Sequence, residues 1–168
     1  MRKGVTLIEV LTVLAVIGLV LAIVVPRMHA TPEREVRSEA YQLVNDLEVA
    51  RTRAIATKAP VRVVFDVVGG AYTAYLDDDG NGAVKETPDE AAAVHGFGTR
   101  VLDASVRFGA GDASPLPDVP GTPPVTFAGA RIDFDNRGLT APFGTRGAIY
   151  LASRDNPRVV AAVAVSGA

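Results

Sequence analysis

The densest run of metal-ligand oxygens in this sequence is Asp77-Asp78-Asp79-Gly80-Asn81-Gly82. Its order satisfies the first half of an EF-hand-type calcium loop, with Asp77, Asp79 and Asn81 as candidate ligands and Gly82 at the sharp turn. The twelfth loop position, where a bidentate Glu completes such a site, is Pro88, although Glu86, Asp89 and Glu90 lie nearby. Asp and Asn with Gly also form solvated turns without any ion. Two readings therefore stand, a calcium loop and an acidic turn, and no other cofactor is expected.

Other site chemistry is sparse. There is no cysteine, so thiolate metal clusters, disulfides and Cys nucleophiles are excluded. The two histidines, His29 and His95, have no second histidine near them in sequence, and Gly96-Phe97-Gly98 lacks the lysine and helix signal of a phosphate loop. No catalytic constellation is found, and the chain is not expected to be an enzyme. Of 17 Lys+Arg and 19 Asp+Glu, three bases and one acid fall in the first thirty residues, leaving 14 bases against 18 acids beyond. Arg131, Arg137, Arg146, Arg154 and Arg158 are interleaved with Asp133, Asp135 and Asp155, so the clustered cations that bind phosphate backbones are missing and nucleic-acid binding is disfavoured.

One further ionisable residue stands out by its surroundings. From Val5 to Val25 the sequence reads VTLIEVLTVLAVIGLVLAIVV, twenty-one residues whose single charge is Glu9. A helix of that length is roughly 30 Å long, about one hydrocarbon core, so a transmembrane helix is expected over 5–25. Arg2 and Lys3 precede it and no charge follows until Arg27, which places the first residues in the cytoplasm and everything after Pro26 outside. The run is longer than a signal-peptide core and has no small-residue cleavage pattern before Pro26, so it is expected to be retained. A carboxylate in such a helix costs at least a few kcal/mol unless it lies near the interface, is protonated or is paired.

The residues around Glu9 resemble the type IV prepilin motif. Arg2-Lys3-Gly4 precedes Val5-Thr6-Leu7-Ile8-Glu9, and Pro26 closes the apolar run. In that family a membrane peptidase, which is also an N-methyltransferase, cuts after the glycine and methylates the new amine. A glutamate follows at the fifth mature position and a proline near the twenty-second. The resemblance thus implies a leader of residues 1–4, processing at Gly4 and Val5, and assembly roles for Glu9 and Pro26. Val5 stands where the family usually has phenylalanine. The cut would remove two fixed cations and expose one α-ammonium, with an ordinary pKa of about 7.7–8.0. In a low-dielectric setting that cation and a neighbour's Glu9 attract strongly. A contact of this kind repeats from subunit to subunit without closing, which is the rule that builds a filament.

The elements that must carry these residues follow from pattern. Thr31-Pro32-Glu33 is an N-cap, first-turn proline and acidic first turn. Val36, Ala40, Leu43, Val44, Leu47, Ala54 and Ile55 recur at helical spacing, with Arg34, Arg37, Glu39, Asp46, Glu48, Arg51 and Arg53 on the other faces. The helix is expected to end near Lys58, before Pro60, and to continue the first one across a kink at Pro26, so that 26–58 is its amphipathic half. Strands are expected at Val61–Asp66, Ala71–Leu76, Arg100–Phe108, Val125–Phe127 and Arg131–Phe134, with a final hairpin of Gly147–Ser153 and Arg158–Ser166. Five of the sixteen residues from Gly109 to Pro124 are proline, which predicts an irregular loop at 109–124. Short linkers favour antiparallel pairing, and one helix on one antiparallel sheet makes an α+β domain over 59–168.

A second resemblance lies in that domain. Ile132-Asp133-Phe134-Asp135-Asn136-Arg137-Gly138-Leu139, then Gly147-Ala148-Ile149-Tyr150-Leu151 and a valine-rich final strand, is similar to the GspH/FimT group of minor pseudopilins. This implies a pilin-like fold and a minor pseudopilin of a type II secretion system, assembled into a periplasmic pseudopilus. Its implied partners are the prepilin peptidase, other minor and major pseudopilins or pilins, and an inner-membrane assembly platform. Its implied location is the inner membrane, single-pass, with the C-terminal domain periplasmic. Two alternatives remain: a FimT-like minor pilin of a type IV pilus serving pilus assembly or DNA uptake, and a signal-anchored extracytoplasmic enzyme or binding domain.

Overall fold

The computed structural model describes residues 7–24, 31–77, 84, 88–94, 97–117 and 121–167. The chain divides into two units, Met1–Thr31 and Pro32–Ala168. In the first, α1 spans Leu7–Val24. In the second, α2 (Pro32–Thr57) leads into strands β1 (Val61–Asp66) and β2 (Ala71–Leu76), a short helix α3 (Pro88–Ala93), and strands β3 (Arg100–Val101), β4 (Val106–Phe108), β5 (Arg131–Phe134), β6 (Thr140–Ala141), β7 (Arg146–Ser153) and β8 (Val160–Ser166). The helix continuation expected through Pro26 lies outside the described residues.

The start of α2 at Pro32 fits a proline whose missing N–H costs nothing in the first turn. Its end at Thr57 is followed by Lys58 in the left-handed region, φ 54°, the usual way to close a helix before a proline. Val36, Leu43, Asp46, Leu47, Ala50 and Ala54 form the buried stripe, one face of a 3.6-residue period. Two of the expected stripe residues differ: Val44 and Ile55 are 40% and 47% exposed. Asp46, expected on a polar face, is buried at 4%. Both shifts have one cause, a stripe centred on the 43-47-50-54 line, which takes in position 46 and leaves 44 and 55 at its margins.

The strands show two-residue alternation where one face is solvated. Val61, Val63 and Phe65 of β1 are buried, as are Tyr72, Ala74 and Leu76 of β2. All pairings are antiparallel, as the α+β reading requires, but they form two sheets rather than one: β3-β2-β1-β5-β6 and β4-β7-β8. The expected strand over Arg100–Phe108 is split between them. A turn divides it at Asp103, whose carboxylate Oδ1 accepts the Ser105 N–H (2.8 Å) and hydroxyl (2.6 Å). Val125–Phe127 is not a strand; Val125 makes a single bridge to Ile149. β7 is central in its sheet and buried from Gly147 to Ser153. The T-shaped Phe65–Phe108 contact, with centroids 5.8 Å apart, joins the sheets in one core.

The β5–β6 turn pins this core to α2. Arg51 Nε donates to Gly138 O at 3.1 Å. Gly138 has φ +75°, and a Cβ there would lie 2.7 Å from Ile55 Cδ1. Asp135 Oδ1 accepts the N–H groups of Arg137 and Leu139, both at 2.9 Å, and Oδ2 accepts from the Arg137 guanidinium. Burial alone would raise the Asp135 pKa, but these donors outweigh it and hold the carboxyl below its usual range. Gly138→Ala should therefore destabilise the protein by about 2 kcal/mol, from left-handed strain plus overpacking against Ile55. Urea unfolding of the full chain in detergent checks this; a midpoint equal to wild type would contradict it.

Candidate assembly site

Glu9 is the sole ionisable residue in α1 and sits in its first turn. There the free N–H groups at the helix start favour an anion, which gives a physical reason for an acid this early in an apolar helix. Its backbone carbonyl also accepts the Thr12 hydroxyl at 2.9 Å. The apolar side chains on every side of α1, including Leu7, Ile8, Leu11, Leu14, Ile17 and Leu21, are exposed. An apolar helix with no polar face calls for an apolar surrounding, either lipid or other helices. At 18 residues α1 is about 27 Å long. Among the described residues no helix is long and apolar enough to cross a membrane. The apolar run in the sequence extends past both ends of α1, to Val5 and Val25. Gly4, Val5 and Pro26 lie outside the described residues, so of the expected processing and assembly positions the structure places Glu9.

In the second unit a polar network sets how α2 sits on the sheet, and the pattern of the sequence did not indicate it. The Tyr72 hydroxyl of β2 donates to Asp46 Oδ2 at 2.7 Å, and Gln42 Nε2 donates to Asp46 Oδ1 at 3.1 Å. Arg100 of β3 pairs with Asp46 across 3.5 Å. Phe97 packs edge-on against the Tyr72 ring at 6.1 Å. Burial, then the hydrogen bond to the Asp46 carboxylate, pushes the Tyr72 phenol far above its ordinary pKa, so it stays a donor. Two turns earlier on α2, Glu39 Oε1 accepts the Asp103 N–H at 3.3 Å. Burial raises the Glu39 pKa above the usual carboxyl value. The Asp103 N–H works against this, and the charges of Asp103 and Asp46 add to it. The signal that was available is the position of Asp46, between Leu43 and Leu47 on an apolar stripe. A carboxylate there has to be buried with donors.

Of the calcium candidates, Asp79 and Asn81 lie outside the described residues. Asp77 closes β2, is buried, and donates its backbone N–H to Pro60 O at 3.1 Å. Pro88, at the twelfth loop position, begins α3. Among the described residues no group of three or more His, Cys, Asp or Glu side chains could hold a metal ion. His29 and His95 lie outside the described residues.

The turn Asp135–Gly138 that locks onto α2, on a helix packed against antiparallel sheets, belongs to the segment already singled out as pseudopilin-like. The family model for GspH, type II transport protein, matches residues 39–168. The chain belongs to the GspH family. The prokaryotic N-terminal methylation motif matches residues 1–25. Both resemblances read from the sequence are thereby met, and this GspH-family protein carries the N-terminal methylation motif ahead of an α+β domain. Among solved structures, that of the minor pseudopilin EpsH from the type 2 secretion system of Vibrio cholerae is similar at 13% identity and TM-score 0.47, covering 79% of this chain and 88% of that one. No curated protein matches the sequence.

The network makes a pH dependence with a defined sign. The folded state holds the Glu39 proton more tightly than the unfolded chain does, so between the two pKa values it binds more protons, and stability falls as pH rises through that window. Glu39→Gln keeps an oxygen to accept the Asp103 N–H and removes the charge. It should stabilise the protein at pH 7 by about 0.5 kcal/mol after allowance for solvent screening, and flatten the fall in stability as pH rises from the ordinary carboxyl range towards neutrality. Chemical denaturation at pH 4 and pH 7 measures both; a stability loss at pH 7 would contradict the assignment.

Proposed function

We propose that this GspH-family chain is a minor pseudopilin subunit of a type II secretion system, cut after Gly4 by prepilin peptidase and assembled into the periplasmic pseudopilus. The observation that carries this reading is Glu9. It is the single charge of an otherwise apolar helix, in its first turn, on a sequence that matches the N-terminal methylation motif. With the leader removed, Val5 supplies an α-ammonium four residues from the carboxylate, so each subunit brings one cation and one anion to the same end of an apolar bundle. Ionic attraction there far exceeds its value in water. A subunit that has not been cut has Arg2 and Lys3 in place of that amine and is not licensed to pair.

In this reading α1 is the core of the sequence run 5–25 that anchors the protein in the inner membrane, with the N-terminus cytoplasmic and the sheet domain periplasmic. Two cations, Arg2 and Lys3, directly before the run against one, Arg27, just after it support the orientation. The partners are the prepilin peptidase, other minor and major pseudopilins, and the inner-membrane assembly platform. The match to the GspH model over 39–168 favours the secretion pseudopilus over a FimT-like pilus. The role is structural, with no reaction assigned to any residue.

Glu9→Val should leave the protein inserted and processed but reduce its cross-linking to sibling subunits at least about tenfold, since an unpaired terminal cation and a lost pair together exceed roughly 1.4 kcal/mol. Site-specific cross-linking in membranes reads this directly. Normal incorporation of Glu9→Val would overturn the pairing mechanism.

A further inference from the structure

β8 is the outer strand of its sheet, and its hydrogen-bonding directions can be assigned. Ser153 N–H donates to Val159 O at 3.0 Å and Gly167 N–H to Thr145 O at 2.9 Å, so odd-numbered residues of this strand face β7. On the far side of β7, Tyr150 N–H donates to Pro124 O and Thr126 N–H to Ala148 O, which fixes the same alternation independently. The backbone groups of Val160, Ala162, Ala164 and Ser166 therefore point along the open edge. Natural sheets blunt such edges with lysine, proline or a bulge. Val160–Ser166 has neither charge nor proline, and its register with β7 runs unbroken over seven pairs.

This edge lines a groove rather than open solvent. A cavity of about 530 Å³ runs between β8 and the flank of α2 formed by Val36, Ala40, Tyr41 and Val44. A second, of about 330 Å³, adjoins it, sharing Val44, Val163 and Ala164, and runs on to Leu139 and Thr140. Tyr41, 66% exposed, lines the groove. Ala162 and Ala164 are small and exposed, so no side chain of β8 stands in the way of an added strand. The end of the groove near residue 158 carries Arg37, Arg158 and Glu33. Among the described residues, the Arg37 and Arg158 guanidinium groups have no hydrogen-bond or ion-pair partner, which leaves that end with excess positive charge. At the other end Arg51 is already engaged with Glu48 and Gly138.

We propose that this groove is a strand-addition site for an extended, apolar segment of another polypeptide, bound antiparallel to β8 with a carboxylate at its C-terminal end against Arg37 and Arg158. The antiparallel direction follows from the charges: a strand added that way ends beside Arg158, where a C-terminal carboxylate or terminal acidic residue finds both cations. Main-chain bonds to residues 160, 162, 164 and 166 supply affinity, and the apolar flank of α2 selects small and β-branched side chains. The site needs no processing of the N-terminus, so it stands apart from the filament reading.

The test uses the full chain in detergent micelles with a seven-residue peptide of alternating valine and threonine, N-acetylated, with a free C-terminal carboxylate. Binding should slow amide exchange at 160, 162, 164 and 166 and spare the odd-numbered residues, already bonded to β7. C-terminal amidation of the peptide, or Arg158→Ala, should each weaken binding about fivefold, the worth of one exposed charge pair. Ala164→Pro removes an outward N–H without touching the β7 ladder, and should abolish binding while the thermal midpoint stays within a few degrees. The proposal is overturned if the outward amides gain no protection, or if amidated and free peptides bind equally. A stable dimer through β8 that excludes the peptide would also overturn it, by giving the edge to a second copy of this chain.

Discussion

A carboxylate placed in apolar surroundings has to be matched by donors or by a cation, because desolvation otherwise costs more than the fold can spare. This chain contains the problem twice. Asp46 lies in the buried stripe of α2 and is answered within the domain, by Tyr72, Gln42 and Arg100. That answer ties three elements together: α2 supplies the acid and the amide, β2 the phenol, β3 the guanidinium. Removing one donor would leave the acid buried and short of a partner, so α2 has one position on the sheet rather than several of similar energy. Glu9 poses the same problem on α1, and in the filament reading its answer comes from another subunit's new N-terminus. One physical rule then accounts for the fixed geometry of the domain and, in the filament reading, for the pairing of subunits.

The two sheets meet α2 in different ways. The five-stranded sheet packs β1 and β5 against α2 and, through Tyr72 and Arg100, carries the Asp46 network. The three-stranded sheet is built around β7, buried along nearly its whole length, and leaves β8 at an edge beside α2. The helix thus packs on both sheets, with polar bonds to the first and an apolar groove along the edge of the second. Arg51, bound to Gly138 O, secures the C-terminal half of α2.

Much of this was legible in the sequence, and the failures have physical causes. The limits of β1 and β2 coincide with the alternating runs Val61–Asp66 and Ala71–Leu76, because one face of each is solvated and the pattern is unmixed. Both ends of α2 were marked by proline. Arg100–Phe108 misled because its alternation continues through Asp103-Ala104-Ser105, where the Asp103 carboxylate makes a turn that sends the chain to the other sheet. β6 has two residues, too few to show a period, and α3 has six. Asp46 departs from the pattern because charge ordinarily marks exposure, although its place between Leu43 and Leu47 points inward. The N-terminal motif was readable at once, since it consists of fixed residue types at fixed spacing and depends on no tertiary contact.

The central claim is that the amine which answers Glu9 comes into being by a cut after Gly4. Intact-mass measurement of the protein extracted from the membranes of cells with a complete secretion system tests this most directly. The account predicts a chain lacking Met1 to Gly4 and beginning at Val5, with or without one added methyl group. A chain that retains its first four residues in assembled filaments would contradict it.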